Sequence, residues 1–155
     1  MVAECAGGWG KAALVDAEQV ENRLERLEAM LERLEEIRGA GEEAYLADAQ
    51  QRLATERLLQ LSIQICIDLA AQVVSEQSAP PPSSYSDVFK ILGDKGVISA
   101  EIAERLGNAA RQRNLLVHLY MEIDDKAVFA SLAFLDDLRE FATIVGRLAE
   151  ADASN

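Results

Sequence analysis

Cysteine, proline, histidine and aromatic side chains are all scarce in this chain of 155 residues. The two cysteines, Cys5 and Cys66, lie far apart in different contexts, which excludes a disulfide framework and a zinc-type ligand spacing. We therefore expect neither a metal nor a cofactor. No apolar run reaches the roughly 18 residues of a membrane span, and Met1 to Gly10 lacks the basic start of a secretory signal. These absences predict a cytoplasmic protein with no membrane partner.

Basic residues are also few, since 15 Lys and Arg stand against 27 Asp and Glu, giving a formal net charge of −12. General nucleic-acid binders usually carry a basic surface, so this balance argues against one, and we expect no DNA partner. It leaves room for a small, locally basic cleft, and it fits docking against a more basic partner.

What the chain does have is apolar periodicity, with half of its residues hydrophobic. The length predicts one domain over residues 15–148, preceded by a flexible arm at 1–14 and followed by a small polar tail at 149–155. The first helix carries an apolar stripe in alternating steps of three and four, interleaved with Glu and Arg. Its members are Ala17, Val20, Leu24, Leu27, Leu31 and Leu34.

Further helices follow from the stop and cap signals. A second long helix is predicted from Glu42 to Ser78, before a run of three prolines. Ser84 or Ser86 then caps a short helix, and Ser99 caps the next one. A last helix is predicted over Lys126 to Leu148. With few strand signals, the sequence predicts an all-α bundle of about five helices.

Asp68 is a carboxylate within the apolar half of the second helix. A buried carboxylate needs a partner, and an arginine from the segment around residue 113 is one candidate. An Asp at the helix edge, facing water, is the equal alternative.

The most chemically distinctive segment runs from Arg111 to Tyr120. It holds the chain's one histidine, His118, with Arg111, Arg113 and Asn114 close by in sequence. Histidine exchanges protons near neutrality, and a guanidinium holds phosphate through paired hydrogen bonds. Together these side chains are what phosphodiester cleavage without a metal requires.

On a straight helix, Asn114 and Arg111 share the face of His118, whereas Arg113 points to one side and Tyr120 lies nearly opposite. A single helix therefore does not gather all of these groups at one point. Either the turn is distorted, or two copies of the chain complete each other's site. By spacing alone, a structural histidine hydrogen-bonded by its neighbours is the more common case.

The segment Arg113-Asn114-Leu115-Leu116-Val117-His118-Leu119-Tyr120 resembles the Arg-x4-His-x-Tyr motif of HepT-like toxins, a branch of the HEPN superfamily. The similarity in order and spacing covers about residues 15–148. It includes Gln60 to Val74, the proline break, Tyr85 to Leu92, Gly96 to Ile98, Glu104 to Leu106, Asp124-Asp125 and Leu135 to Phe141.

The resemblance implies a helical homodimer with a cleft where two motifs face each other. It also implies a metal-independent endoribonuclease that is the toxin of a type VII toxin–antitoxin pair. The antitoxin would be a minimal nucleotidyltransferase that transfers AMP to Tyr120. Two departures from the family pattern are Ala109-Ala110-Arg111-Gln112 before the motif arginine, where family members often carry a bulky residue just before it, and Leu119 where a charged residue is common.

The expected mechanism is attack of the ribose 2′-OH of an RNA substrate on the adjacent phosphate. His118 would act as general base or acid, and Arg113 would stabilise the phosphorane, with Arg111 sharing or taking over that role. Asn114 would orient the phosphate or the imidazole. One alternative is a non-catalytic HEPN module that binds RNA or nucleotide. Another is a helical adaptor that assembles through the Ala17–Leu34 stripe.

Overall fold

The computed structural model describes the backbone of residues 2–76, 81–118 and 122–153, and the side chains of 17–76, 81–118 and 122–151. These residues form helices and connecting turns, with no strand among them. In chain order the elements are α1 (Val2–Ala40), α2 (Glu42–Ala47), α3 (Ala49–Glu76), α4 (Tyr85–Asp94), α5 (Ala100–His118), α6 (Asp125–Ala130), a 3-10 turn (Ser131–Phe134) and α7 (Leu135–Ala153). The predicted all-α bundle is confirmed, with five long helices and two short ones.

The apolar stripe of α1 is used inside the fold. Val20, Leu27, Leu31 and Leu34 are buried and Leu24 is half-buried, where α1 packs along α3 and α7 of the same chain. At Gly146 of α7, an added Cβ would lie 3.9 Å from Leu24 Cδ1. Most of this stripe is therefore covered within the chain, and because only Ala17 and Leu24 are half-buried, little of it is open for assembly with another helix, which weighs against the adaptor alternative.

α3 is the central helix of the bundle and contacts α1, α4, α5 and α7. In the described part of the chain it is the one helix long and apolar enough to cross a membrane, and half of its most apolar window is buried in the fold. Its apolar composition is accounted for by that burial. Cys66 lies fully buried on α3, and burial raises the pKa of its thiol.

The second helix begins at Glu42 as predicted, but its predicted continuity is wrong, because Asp48 divides it into α2 and α3. Asp48 has extended backbone angles, and its carboxylate accepts hydrogen bonds from the N–H groups of Gln50 (3.0 Å) and Gln51 (3.2 Å). Aspartate is favoured at such capping positions because its carboxylate accepts from backbone N–H groups. Asp48 therefore ends α2 and begins α3. The predicted helical character of the residues around Asp68 is confirmed.

The predicted last helix is also divided. Asp124 caps α6 by accepting from the N–H groups of Lys126 and Ala127. The hydroxyl of Ser131 then donates back to the carbonyl of Ala127 at 2.9 Å, a bond that bends helices, and the chain tightens into the 3-10 turn. α7 continues to Ala153, so most of the predicted tail is helical.

The predicted arm at residues 1–14 is helical in its backbone, because α1 begins at Val2. An amphipathic pattern that starts later in the sequence gave no reason to extend the helix back that far. The flexibility of this segment stays a prediction.

α4 and α5 form a closely packed antiparallel pair. A Cβ added at Gly93 of α4 would stand 2.8 Å from Cβ of Ala103 on α5, and one added at Gly107 would lie 3.8 Å from the carbonyl oxygen of Ser86. The early part of α4 therefore lies beside the later part of α5. α4 is capped by Ser84, and α5 by Ser99, whose hydroxyl accepts from the N–H of Ile102 at 3.1 Å. Both capping predictions are confirmed.

We predict that Gly93→Ala lowers the free energy of unfolding by about 1–3 kcal/mol, because the added methyl has no room against Ala103 and the two helices must separate. The matched control is Gly39→Ala at the end of α1, where an added Cβ meets nothing within 4 Å. That variant should be unchanged or more stable by up to about 1 kcal/mol. Urea unfolding at one fixed protein concentration measures both, and equal stabilisation of the two variants would contradict the packing constraint.

Candidate active site

The predicted site residues lie along the second half of α5. Its exposed side carries Asn108, Arg111, Leu115 and His118, spaced by three, four and three residues. Leu115 is 50% exposed, although it is a large apolar side chain. His118 stands in the last turn of the helix and is exposed. The predicted common face of Arg111 and His118 is thus present, and the histidine is not a buried structural residue.

Arg113 and Asn114 lie beside this exposed line and are half-buried. Nη1 of Arg113 donates to Oδ1 of Asn114 at 3.2 Å. The guanidinium carbon of Arg113 lies 5.2 Å from the centre of the Tyr85 ring, at the start of α4, within cation–π range. Nε of Arg113 is buried and has no hydrogen-bond partner. This hydrogen bond turns the amide oxygen of Asn114 toward the arginine, and the predicted role of Asn114 in orienting a phosphate or the imidazole stays a prediction.

Arg111 is held differently. Its Nη2 donates to Oδ1 of Asn108, one turn earlier on the same exposed line. It also borders a groove of about 370 Å³ between α4 and α5, which we call the α4–α5 groove. The groove is mixed in charge. Its charged lining consists of Lys90, Arg111, Asp87, Asp94 and Glu104.

Asp68 makes a local contact in place of the two predicted alternatives, an arginine partner or a water-facing helix edge. Asp68 is half-buried, and its Oδ1 accepts from Nε2 of Gln64, one turn earlier on α3, at 2.8 Å. No arginine of the described side chains forms an ion pair with Asp68. A neighbouring amide on the same helix satisfies the carboxylate without a long-range partner. The contact is local to α3, and the supporting role of Asp68 at the site stays a prediction.

Two motif positions, Leu119 and Tyr120, lie outside the described residues. The side chain predicted to receive AMP is therefore not placed. Among the described side chains, no group of three or more His, Cys, Asp or Glu is arranged to hold a metal ion.

Tyr85 is the site residue that the sequence reasoning missed. It is 44% exposed at the first position of α4, about thirty residues before the motif. Sequence spacing relates residues along one helix, and Tyr85 reaches Arg113 from another. Two signals were present: an aromatic side chain directly after the capping serine, and small residues in both helices that permit a close antiparallel pair.

The helical bundle around α3 has the fold of a solved HEPN protein. The structure of a tri-AMPylated HEPN toxin of Shewanella oneidensis in complex with an MNT antitoxin has the same fold, with a TM-score of 0.74. It is 22% identical in sequence, and the match covers 83% of this chain and 96% of that one.

The family can be stated from sequence. The family model described as "Ribonuclease HepT-like" matches residues 27–145. A tRNA nuclease HepT of Aphanizomenon flos-aquae is 32% identical over 115 residues, covering 74% of this chain and 78% of that protein. An mRNA nuclease HepT of Shewanella oneidensis is 24% identical over 125 residues, covering 80% of this chain and 93% of that protein. The chain belongs to the HepT-like family.

We predict that Arg113→Ala lowers the free energy of unfolding by about 1 kcal/mol, because it removes the contact with Tyr85 and the packing of the stem. Arg111→Ala is the matched control on the same helix. Its side chain is exposed and bonded only to Asn108, so we expect a change within about 0.5 kcal/mol. Chemical unfolding of the two variants compares them, and the reverse ranking would contradict the assigned contacts.

Proposed function

We propose that this protein is an endoribonuclease that acts as the toxin of a toxin–antitoxin pair. The observation that carries the proposal is the placement of His118, exposed to solvent at the end of the helix that also carries Arg111 and Arg113. A proton-exchanging group and phosphate-binding groups are thereby on one surface. The family membership and relatives named as tRNA and mRNA nucleases support this activity.

The mechanism we propose uses the substrate's own nucleophile. His118 accepts the proton of the ribose 2′-OH as the 2′ oxygen forms its bond to phosphorus and the bond from phosphorus to the 5′ oxygen breaks. A protonated group then supplies the proton that the 5′ oxygen takes, leaving a 2′,3′-cyclic phosphate. Arg113 stabilises the charge on the phosphorane, with Arg111 as a second cation. No metal ion takes part in this scheme.

A second copy of the chain completes the site. The scheme needs a base and an acid at opposite ends of the reaction, and each chain has one histidine. Two copies facing each other through α5 would provide two. Leu115, half-exposed and in line with His118, offers an apolar contact at that seam. We therefore propose a homodimer in which the two motifs share one cleft.

The proposed partner is a minimal nucleotidyltransferase antitoxin, which silences the toxin by transferring AMP to Tyr120. The support is the Shewanella oneidensis HEPN toxin, which is tri-AMPylated and bound to an MNT antitoxin. The net charge of −12 suits a basic docking surface on such a partner. We place the pair in the cytoplasm, where RNA and nucleoside triphosphate are available.

A non-catalytic RNA- or nucleotide-binding module is the second candidate, favoured by the acidic balance of the chain. It would use the same surface, with Arg113 holding a phosphate and His118 taking no part in proton transfer. The two candidates differ in one measurable property, which is whether the loss of the imidazole abolishes cutting while RNA binding remains.

We predict that His118→Ala lowers the rate of RNA cleavage by about 10²- to 10⁴-fold, the usual contribution of a general acid–base group. RNA binding by the variant should persist, and cells expressing it should grow while cells expressing the natural chain do not. Cleavage by the natural chain should continue in EDTA and leave 2′,3′-cyclic ends. An all-deoxy strand of the same sequence should stay intact, because it lacks the 2′-OH. Equal cutting by the His118→Ala chain would refute the role of His118 as the proton acceptor, and RNA binding without cutting by the natural chain would favour the second candidate.

We predict that incubation with the cognate nucleotidyltransferase and ATP adds adenylate to Tyr120 and ends RNA cleavage. Tyr120→Phe should gain no adenylate and should stay active, because it lacks the acceptor hydroxyl. The matched control is Tyr85→Phe, which removes the hydroxyl of the exposed tyrosine on α4 and should still be modified. Mass measurement of intact protein and of its peptides reads the result, and adenylate found on Tyr85 alone would be the contrary outcome.

A further inference from the structure

Tyr85 lies in the first turn of α4, which is held by capping hydrogen bonds. Ser84, the residue before it, caps α4, and its hydroxyl accepts from the N–H of Asp87 at 3.2 Å. The carboxylate of Asp87 reaches back and accepts from the N–H of Ser83 at 3.0 Å. This reciprocal pair of bonds is of the capping-box kind and fixes the first turn of the helix. The backbone that carries the Tyr85 ring is therefore well defined.

The distance between this turn and α5 is also fixed. Contact of Gly93 with Ala103 and of Gly107 with Ser86 sets the antiparallel spacing of α4 and α5 along their length. Continuing the same antiparallel register places the start of α4 opposite the stretch of α5 that follows Gly107, which contains Arg113. The ring of Tyr85 meets the guanidinium there, 5.2 Å from its centre to Cζ.

Some hydrogen-bond donors of Arg113 are enclosed or used within the chain, and the others are free for a ligand. Nε is enclosed and unpaired, and Nη1 gives one hydrogen bond to Oδ1 of Asn114. The donors that remain for a phosphate are on Nη2 and the second hydrogen of Nη1. The cation–π contact with Tyr85 and the hydrogen bond to Asn114 restrict rotation of the guanidinium, so its free donors have a preferred direction before any substrate binds.

We infer that Tyr85 is a positioning residue for the ribonuclease reaction, acting through Arg113. The inference rests on the proposed function, because it assigns Arg113 the role of holding the scissile phosphate. The face of an aromatic ring orients a half-buried guanidinium. Because this guanidinium stabilises charge on the phosphate in the transition state, the loss of its orientation slows the reaction. The hydroxyl of Tyr85 takes no part, so a phenylalanine at this position serves equally well.

A competing role for the same ring is stacking on a base of the RNA, since Tyr85 is 44% exposed. The two roles make opposite predictions. Stacking on RNA is independent of Arg113 and contributes to substrate binding, whereas positioning acts only when Arg113 is present and contributes to the transition state.

The kinetic test compares Tyr85→Phe and Tyr85→Leu in the natural chain and in Arg113→Ala. In the natural chain, Tyr85→Leu should lower kcat by about 10- to 100-fold with a small change in KM, while Tyr85→Phe stays within about twofold. In the Arg113→Ala background, Tyr85→Leu should have no further effect. A loss confined to KM, or one that persists without Arg113, overturns the inference. The control is Leu53→Ala, which removes another exposed apolar side chain, 67% accessible, and should leave both constants unchanged.

A second measurement does not depend on activity. The NMR signals of the Arg113 side chain should be displaced by the ring current in the natural chain and in Tyr85→Phe, and should return to ordinary positions in Tyr85→Leu. If they are the same in all three proteins, the inference is overturned, whether or not RNA is cut. If they behave as expected but neither the natural chain nor His118→Ala cuts RNA, the contact stands and the proposed ribonuclease function fails.

Discussion

The close approach of α4 and α5 is the constraint on which the candidate site depends. Gly93 has no room for a Cβ beside Ala103, so the backbones of the two helices approach as nearly as side chains allow. α5 is also fixed from its other side, where Arg105 pairs with the nearly buried carboxylate of Asp137 on α7 at 3.4 Å. A helix that is held by contacts on two sides can present a few side chains to solvent in a constant geometry. A site for phosphate chemistry requires such a fixed arrangement of side chains.

Much of the fold was predictable because it follows from local rules. The stripe from Val20 to Leu34 and the serine caps at positions 84 and 99 each depend on residues within a few positions of one another. The errors at Asp48 and Ser131 concern polar side chains that can bond to the backbone either within a helix or at its end. Sequence periodicity does not decide between these two uses, whereas the packing of the neighbouring helices does.

The candidate site was predictable only in part. The line of Arg111 and His118 follows from helical spacing and is present in the structure. Asp68 matches neither predicted alternative in full, because it is half-buried and accepts a hydrogen bond from a nearby glutamine, with no ion pair to an arginine among the described side chains. The contact of Tyr85 with Arg113 crosses two helices, and its prediction requires the register of their packing, which no single segment encodes.

Charge is unevenly distributed along α5 of this acidic protein. Along α5, Glu101 and Glu104 stand near the start, whereas Arg111, Arg113 and His118 occupy the second half. This order also matches the helix dipole, which favours anions at the beginning and cations at the end. The net charge of −12 is a property of the whole chain, and the second half of α5 carries two of its arginines.

The complete burial of Cys66 has a practical consequence. Its sulfur lies in the centre of the bundle on α3, out of reach of any reagent in water while the helices stay packed. In a chain with Cys5 replaced by serine, Cys66 is the one remaining thiol. The rate at which a thiol-modifying dye labels that chain then measures how often the whole bundle opens, independently of events at its surface.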